Sequence, residues 1–284
     1  MTFIWNIIKS ILYGIVQGIT EWLPISSTGH LLLMRTFLPL DVFSSVESNQ
    51  AFFDMYKVVI QFGSILAVII LFFNKLNPLN MHLNEKQRKS IYHTWAMVII
   101  GCIPAGILGV LFEDVIDTVL SASWVIGITL ILYGVLFIWM ENNAGEYTIQ
   151  STDQITPKNA LYVGCFQALA LIPGTSRSGS TILGATICGF DRKTAAEYSF
   201  FLAIPVMFGA SLLKLVKYVV NGAEMSFSSF TVLLVGFVVS FLVSLVVIRS
   251  LMAYIRNHDF KIFGYYRIAL GIAVIIFSIL GVIA

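Results

Sequence analysis

Charge is what this sequence has least of. Seventeen Lys and Arg with fifteen Asp and Glu make up 11% of 284 residues, against roughly 25% in an ordinary globular domain. That scarcity, with 58% hydrophobic residues, excludes a disordered chain, which needs low hydrophobicity and high net charge, and a coiled coil, which needs charged flanking positions. A net charge of +2 is too small for a basic nucleic-acid-binding face, so no nucleic acid partner is expected. Cysteine is scarce as well. Cys102, Cys165 and Cys188 are odd in number, have no C-x-x-C spacing and lie in apolar or small-residue segments. They read as packing residues, not as disulfide or zinc partners. The first apolar stretch has no small-residue cleavage site and carries Lys9 within it, so a removable signal peptide is not expected. A mean hydropathy of +0.88 leaves an integral membrane protein.

A bilayer core about 30 Å thick calls for about 20 mostly apolar helical residues. Six runs qualify: 52–73, 95–112, 122–140, 195–217, 231–248 and 265–283. Two other apolar regions are interrupted. Residues 3–23 carry Lys9, Gln17 and Glu21 and stop at Pro24, and the stretch that follows, 30–40, is short. Likewise 158–172 runs into the polar, Gly-rich PGTSRSGST at 173–181, and 180–190 is again too short to cross. Paired short segments of this kind predict re-entrant or broken helices, whose irregular backbone is tolerated at membrane depth only where protein or a polar cavity satisfies it.

The two interrupted regions resemble each other. With one residue skipped, GIVQGITEWLPISS at 14–27 aligns with GCFQALALIPGTS at 164–176, placing Gly14 on Gly164, Gln17 on Gln167, Pro24 on Pro173 and Ser27 on Ser176. Each region precedes three spans, and the next span in each half carries an acid near its start, Asp54 and Glu197. One re-entrant pair plus three spans is an odd number of crossings. The halves, 1–141 with its pair at 3–40 and 157–284 with its pair at 158–190, are therefore expected to form an inverted-topology repeat within one membrane domain. Lys75, Lys86, Arg88 and Lys89 in 74–94, and Arg249, Arg256 and Lys261 in 249–264, predict cytoplasmic loops. The segments 113–123 and 219–230 have no Lys or Arg and are expected outside, with both termini. The loop around Ser27 then enters from outside and that around Arg177 from inside.

Ionisable residues within membrane segments are costly, so each is a functional candidate. Glu21, His30, Asp54, Lys57, Arg177 and Glu197 form that set. Asp54 and Lys57 share a helical face and are placed to pair with each other. In the first loop Pro24 ends the incoming helix, Ser26, Ser27 and Thr28 supply hydroxyls and caps, and His30 opens the next arm. The second loop adds glycines, more hydroxyls and Arg177. Free N–H groups at a helix start, glycine that lets backbone approach a ligand, and a guanidinium that grips two oxygens all suit phosphate. Ser27 stands one turn before His30, which offers a nucleophile and a proton acceptor beside cationic groups, the parts phosphoryl transfer needs. Glu21 is placed to orient His30 or to hold a divalent metal with Gln17 one turn before it. A transporter or lipid flippase built on the same repeat is the rival reading, but needs no such nucleophile and base. Gly101, Gly106, Gly109, Gly236 and Gly271 are read as points of close helix approach.

The pair QGITEWLPISSTGH at 17–30 and PGTSRSGST at 173–181 strongly resembles the undecaprenyl-diphosphate phosphatases of the bacterial BacA/UppP family. The resemblance covers essentially the whole chain. It implies an all-α polytopic membrane hydrolase that removes one phosphate from undecaprenyl diphosphate, recycling the carrier for peptidoglycan synthesis and conferring bacitracin resistance. It further implies a multi-pass protein of the bacterial plasma membrane, with an active site facing the extracytoplasmic side and a requirement for Mg²⁺ or Ca²⁺. The family's serine and histidine fall on Ser27 and His30, its arginine on Arg177, and its hydroxyls on Ser26, Thr28, Ser176, Ser178 and Thr181, with Gly174 and Thr175 in the same loop. The family motif begins with Glu or Gln four residues before a Glu. Here it is Gln17 before Glu21, which weakens any model with two carboxylates on a metal. On these grounds Ser27 is expected to attack the terminal phosphorus, although the resemblance alone leaves His30 open as nucleophile. His30 is expected to handle the proton, Glu21 to orient His30 or the metal, and Arg177 to stabilise the transferring group. The expected partners are a polyprenyl diphosphate lipid and the membrane, and a homodimer stays open.

Overall fold

A computed structural model describes the backbone of residues 2–119, 122–222 and 225–283. Among these residues the chain is helical, with no strand beyond an isolated bridge between Ile149 and Phe190. The α-helices in chain order are α1 Thr2–Thr20, α2 Ser27–Phe37, α3 Val46–Leu71, α4 Phe73–Leu76, α5 Glu85–Val119, α6 Ser123–Asn142, α7 Pro157–Leu169, α8 Arg177–Ile187, α9 Arg192–Val220, α10 Phe227–Tyr254 and α11 Lys261–Ile279.

Seven of them, α1, α3, α5, α6, α9, α10 and α11, are long and apolar enough to cross a membrane, one more than the six runs of the sequence. The addition is α1, whose 18-residue window Phe3–Thr20 has a mean hydropathy of 1.2, the lowest of the seven. Lys9, which lowers that average, is buried and donates to the Pro39 carbonyl. The helices α2 and α8 have 11 residues each, about 16 Å at 1.5 Å per residue, which is too short to cross. Most of the Lys- and Arg-free segment 113–123 lies outside the residues whose side chains are described, as do positions 223 and 224.

Local chemistry sets several helix starts. Ser45, Asp191 and Ser226 each accept the backbone N–H three residues on, and Thr156 with Asn159 forms a reciprocal capping box ahead of Pro157. Packing then depends on close backbone approach, since lipid tails leave no hydrophobic drive between helices. A Cβ added at Gly14 or Gly18 of α1 would lie 2.8 Å from a backbone oxygen of α10, and one at Gly164 of α7 would lie 2.5 Å from the Gly101 carbonyl of α5. Gly101, Gly236 and Gly271 do mark such approaches. Gly106 meets nothing within 4 Å and Gly109 only a leucine methyl at 3.7 Å, so those two are not packing points.

Packing partners recur in pairs. Helix α1 lies on α10 and α7 on α5, α2 touches α11 and α8 touches α6, while α6 packs on α11 and α3 on α9. The centre of the core is the first half of α9, where Thr194–Ala203 are buried around Trp22, Phe72 and Met97. At one end, Arg192 grips the Glu141 carboxylate with Nε at 3.0 Å and Nη2 at 2.6 Å, and Glu141 also accepts the Phe260 N–H at 2.9 Å. This ties the ends of α6, α9 and α11 together and fixes the register of α11.

Candidate active site

The site lies where the connections α1–α2 and α7–α8 meet. Helix α1 stops at Thr20 and turns through Glu21–Ile25, and α7 stops at Leu169 and turns through Ala170–Thr175. Each short helix that follows is entered through a serine in the left-handed region, Ser26 at φ 73° and Ser176 at φ 69°, the only non-glycine positive φ values among the described residues. A non-glycine residue held there is strained, and such strain persists where surrounding contacts over-determine the backbone. The paired serines correct the sequence alignment. With a constant offset of 150, Ser26 matches Ser176, Gly29 matches Gly179, and both short helices match end to end, so no residue is skipped. Ser27 therefore stands opposite Arg177, not Ser176.

Glu21 is the hub. Its carboxylate is 4% exposed. One oxygen accepts from Gln17 Nε2 at 2.9 Å, Ser27 Oγ at 3.1 Å and Gln61 Nε2 at 3.2 Å. The other takes Arg177 Nη2 at 3.2 Å. The second loop therefore supplies the cation for the first loop's acid. Arg177 also donates Nη1 to the Ser199 carbonyl at 2.8 Å and stands over the Trp22 ring, its guanidinium carbon 5.6 Å from the centroid. Ser178 strengthens the junction by donating to the Glu21 carbonyl at 3.0 Å.

His30 is placed differently from expectation. No hydrogen bond joins it to Glu21 or Ser27 among the described residues. Its Nδ1 is 2.7 Å from the Ser26 carbonyl and its Nε2 is 2.7 Å from Tyr266 Oη, with the two rings parallel within 4°. A carbonyl only accepts, so Nδ1 carries the proton and Nε2 of the neutral ring accepts from Tyr266. Glu21 thus orients Ser27, not His30, because the turn at Pro24 folds residue 27 back over the end of α1.

The remaining candidates divide. Ser176 Oγ caps Gly179 N at 3.2 Å, and Gly174, at φ 87°, takes a conformation that favours glycine. Thr175 and Ser26 are buried with their hydroxyls lacking a protein partner. Thr28 is exposed. Thr181 is turned into the α8–α9 contact, bonded to Ser199 Oγ at 2.6 Å and to the Arg177 carbonyl at 2.8 Å. Outside the site, Asp54 pairs with Lys57 at 2.7 Å, as their spacing suggested, and Glu197 pairs with Lys75 at 2.5 Å beside a separate polar cavity of about 270 Å³.

Three residues absent from the sequence candidates prove to be part of the site: Gln61, Tyr266 and Arg267. Arg267 is fully buried in α11 and donates to the carbonyls of Pro24, Gly174 and Thr175. The rule that an ionisable residue within a span marks function applies to it. Gln61 and Tyr266 carry no such signal.

Buried polar atoms without a protein partner gather here: Trp22 Nε1, Ser26 Oγ, Thr175 Oγ1 and Arg177 Nε. Buried donors and hydroxyls are normally satisfied. This set, mostly of donors, beside two helix N-termini marks a place for an oxygen-rich anion. The donor set does not suit a resident divalent metal. Glu21 is its one carboxylate, both oxygens are already engaged, and no cluster of three His, Cys, Asp or Glu occurs among the described residues.

A family model described as bacitracin resistance protein BacA matches residues 10–273. The chain is 52% identical over 277 residues to undecaprenyl-diphosphatase 1 of Clostridioides difficile (strain 630), covering 97% of each chain. It is 48% identical over 272 residues to the undecaprenyl-diphosphatase of Latilactobacillus sakei subsp. sakei (strain 23K), covering 95% of this chain and 97% of that one. Against the undecaprenyl-diphosphatase of Streptococcus mutans serotype c (strain ATCC 700610 / UA159) the identity is 44% over 281 residues and 98% of each chain. Matched along nearly its whole length, this multi-pass membrane protein belongs to the bacitracin resistance protein BacA family.

Proposed function

We propose that the protein hydrolyses undecaprenyl diphosphate to undecaprenyl phosphate and inorganic phosphate, recycling the lipid carrier for peptidoglycan synthesis and so conferring bacitracin resistance. One observation carries this reading: a buried carboxylate that receives the Ser27 hydroxyl from one loop and the Arg177 guanidinium from the other. Nucleophile, base and phosphate-binding cation share one hydrogen-bonded set. A flippase would need the anion site but not a base on the serine.

In this reading the diphosphate enters the space between the two loops, with its prenyl chain against the apolar helices, where burial favours it. Arg177 and the free N–H groups of the first turn of α2, which Ser26 leaves without a side-chain cap, hold the terminal phosphoryl oxygens. Ser27 Oγ attacks phosphorus while Glu21 takes its proton. The new Oγ–P bond forms as the P–O bond to the prenyl phosphate breaks. That product leaves with the electron pair and needs no proton. Water then attacks the phosphoserine phosphorus as the Oγ–P bond breaks, protonated Glu21 returns its proton to the departing Ser27 Oγ, and inorganic phosphate leaves carrying the protons of the water. His30, held by Ser26 and Tyr266, supports the left-handed turn that aims Ser27. A Mg²⁺ or Ca²⁺ ion would arrive only as the counter-ion of the diphosphate and would not be a resident of these side chains.

The recurring packing pairs and the constant offset of 150 support an inverted repeat of 1–141 and 157–284, with α1–α2 and α7–α8 as its re-entrant arms. The basic loops support a topology with 74–94 and 249–264 on the cytoplasmic side of a bacterial plasma membrane and the Ser27 loop on the outer side. The activity reading is tested by phosphate release from undecaprenyl diphosphate by the purified protein in detergent. Release by the wild type and its loss in Ser27→Ala is the expected outcome. Reconstituted vesicles in which Ser27→Ala moves lipid phosphate while no preparation releases phosphate would favour the flippase.

A further inference from the structure

We infer that Arg267 is a positioning residue that sets the two loops of the site against each other, and that Gly179 is glycine so that the guanidinium can sit beneath the first turn of α8. This rests on the phosphatase reading of the site. Arg267 is 0% exposed and makes no ion pair with any carboxylate among the described residues. A buried arginine without an acid is expensive, above all in a membrane. Here three backbone carbonyls and a ring face the charge. Nη1 donates to Pro24 O at 3.2 Å, Nη2 donates to Gly174 O at 3.1 Å and Thr175 O at 2.8 Å, and the guanidinium carbon lies 5.3 Å from the Tyr133 ring centroid.

The chosen carbonyls are informative. Positions 24 and 174 correspond under the offset of 150, and both lie two residues before a left-handed serine. These carbonyls leave regular helix where no water-filled surface can satisfy them, so each needs a donor. One rigid, planar fork supplies both loops at once, which an ammonium cannot do in the same geometry. The distance from Ser27 and Glu21 on one loop to Arg177 on the other is thereby set from a third element. That element, α11, has its start tied to Glu141 through Phe260 N. A Cβ built at Gly179 would lie 2.8 Å from Arg267 Nη1. A side chain there must push the guanidinium off its carbonyls.

Because the hydrogen bonds of Arg267 among the described residues all go to backbone carbonyls, it acts on turnover through the loops, not on substrate. Arg267→Lys is expected to lower kcat by roughly 100-fold, the scale of losing one preorganised group, with KM changed less than about threefold because Arg177 still binds the anion. Gly179→Ala is expected to show the same kcat-weighted loss. The double variant should be little worse than either single one, since both break one contact. Hydrogen exchange gives a readout independent of activity, with faster amide exchange expected at 25–29 and 174–179 in both variants and no change along α10. Variants retaining wild-type kcat and loop protection would overturn the inference, as would losses that multiply in the double variant. A wild type that releases no phosphate, yet whose loops loosen on Arg267→Lys, would instead refute the phosphatase reading and keep the clamp.

Discussion

The two loops share a backbone and differ in chemistry. Each leaves a helix, offers a carbonyl to Arg267 at positions 24 and 174, passes through a left-handed serine at 26 and 176, and starts an 11-residue helix. On that common frame the first loop carries Glu21, Ser27 and His30, and at the matching positions the second carries Leu171, Arg177 and Ser180. The frame makes two anion-facing helix starts. The side chains make one of them reactive and the other cationic. On the proposed mechanism the two loops form one phosphoryl-transfer site because they differ at position 27 and its counterpart, serine in one and arginine in the other, with Glu21 bonded to both.

Abolishing the reactive half has the largest expected effect. Glu21→Gln keeps the shape and can still bond Ser27 but accepts no proton, and we expect phosphate release to fall by roughly 10²–10⁴-fold, the range for a lost general base. Arg177→Lys tests the cationic half: the ammonium keeps the charge but not the fork that spans Glu21 and the Ser199 carbonyl. A fall in kcat/KM of about 10²–10³-fold is expected from the same assay. Gln17→Glu makes the first loop more acidic and builds the two-carboxylate motif. A severalfold lower half-saturating Mg²⁺ concentration is expected, because carboxylate count tunes affinity for hard cations. The smallest effect separates the serines themselves. Ser176 caps Gly179 N, whereas Ser26 makes no cap bond. Ser176→Ala should therefore cost about 1 kcal/mol by thermal unfolding in detergent and Ser26→Ala about half that or less.

Much of this was legible because charge is scarce. Glu21 and Arg177 stand out in apolar surroundings, and the sequence named both as residues of one site. The apolar runs located the long helices but not their ends. The run 95–112 lies inside α5, Glu85–Val119, because membrane thickness limits the apolar stretch while the helix continues through polar turns. The same reasoning demoted α1, whose polar residues are satisfied inside the bundle: Asn6 by the Asp41 carbonyl and Gln17 by Glu21. The bond from Ser27 to Glu21 was hidden since residues six apart do not meet on a helix, and only the turn at Pro24 brings them together. Tyr266 and Gln61 were illegible for a further reason. They are ordinary polar residues of long helices, and only tertiary register carries them to a loop more than 35 residues away.

On the proposed mechanism Ser27, activated by Glu21 and faced by Arg177, takes the phosphoryl group. Rapid acid quenching of the purified protein during turnover of undecaprenyl diphosphate labelled in its terminal phosphate, followed by peptide mapping, tests it most directly. The expected result is acid-stable phosphoserine at position 27, absent in Ser27→Ala and strongly reduced in Glu21→Gln. Turnover with no label at Ser27, or an acid-labile label that maps to His30 when quenched in base, would contradict it.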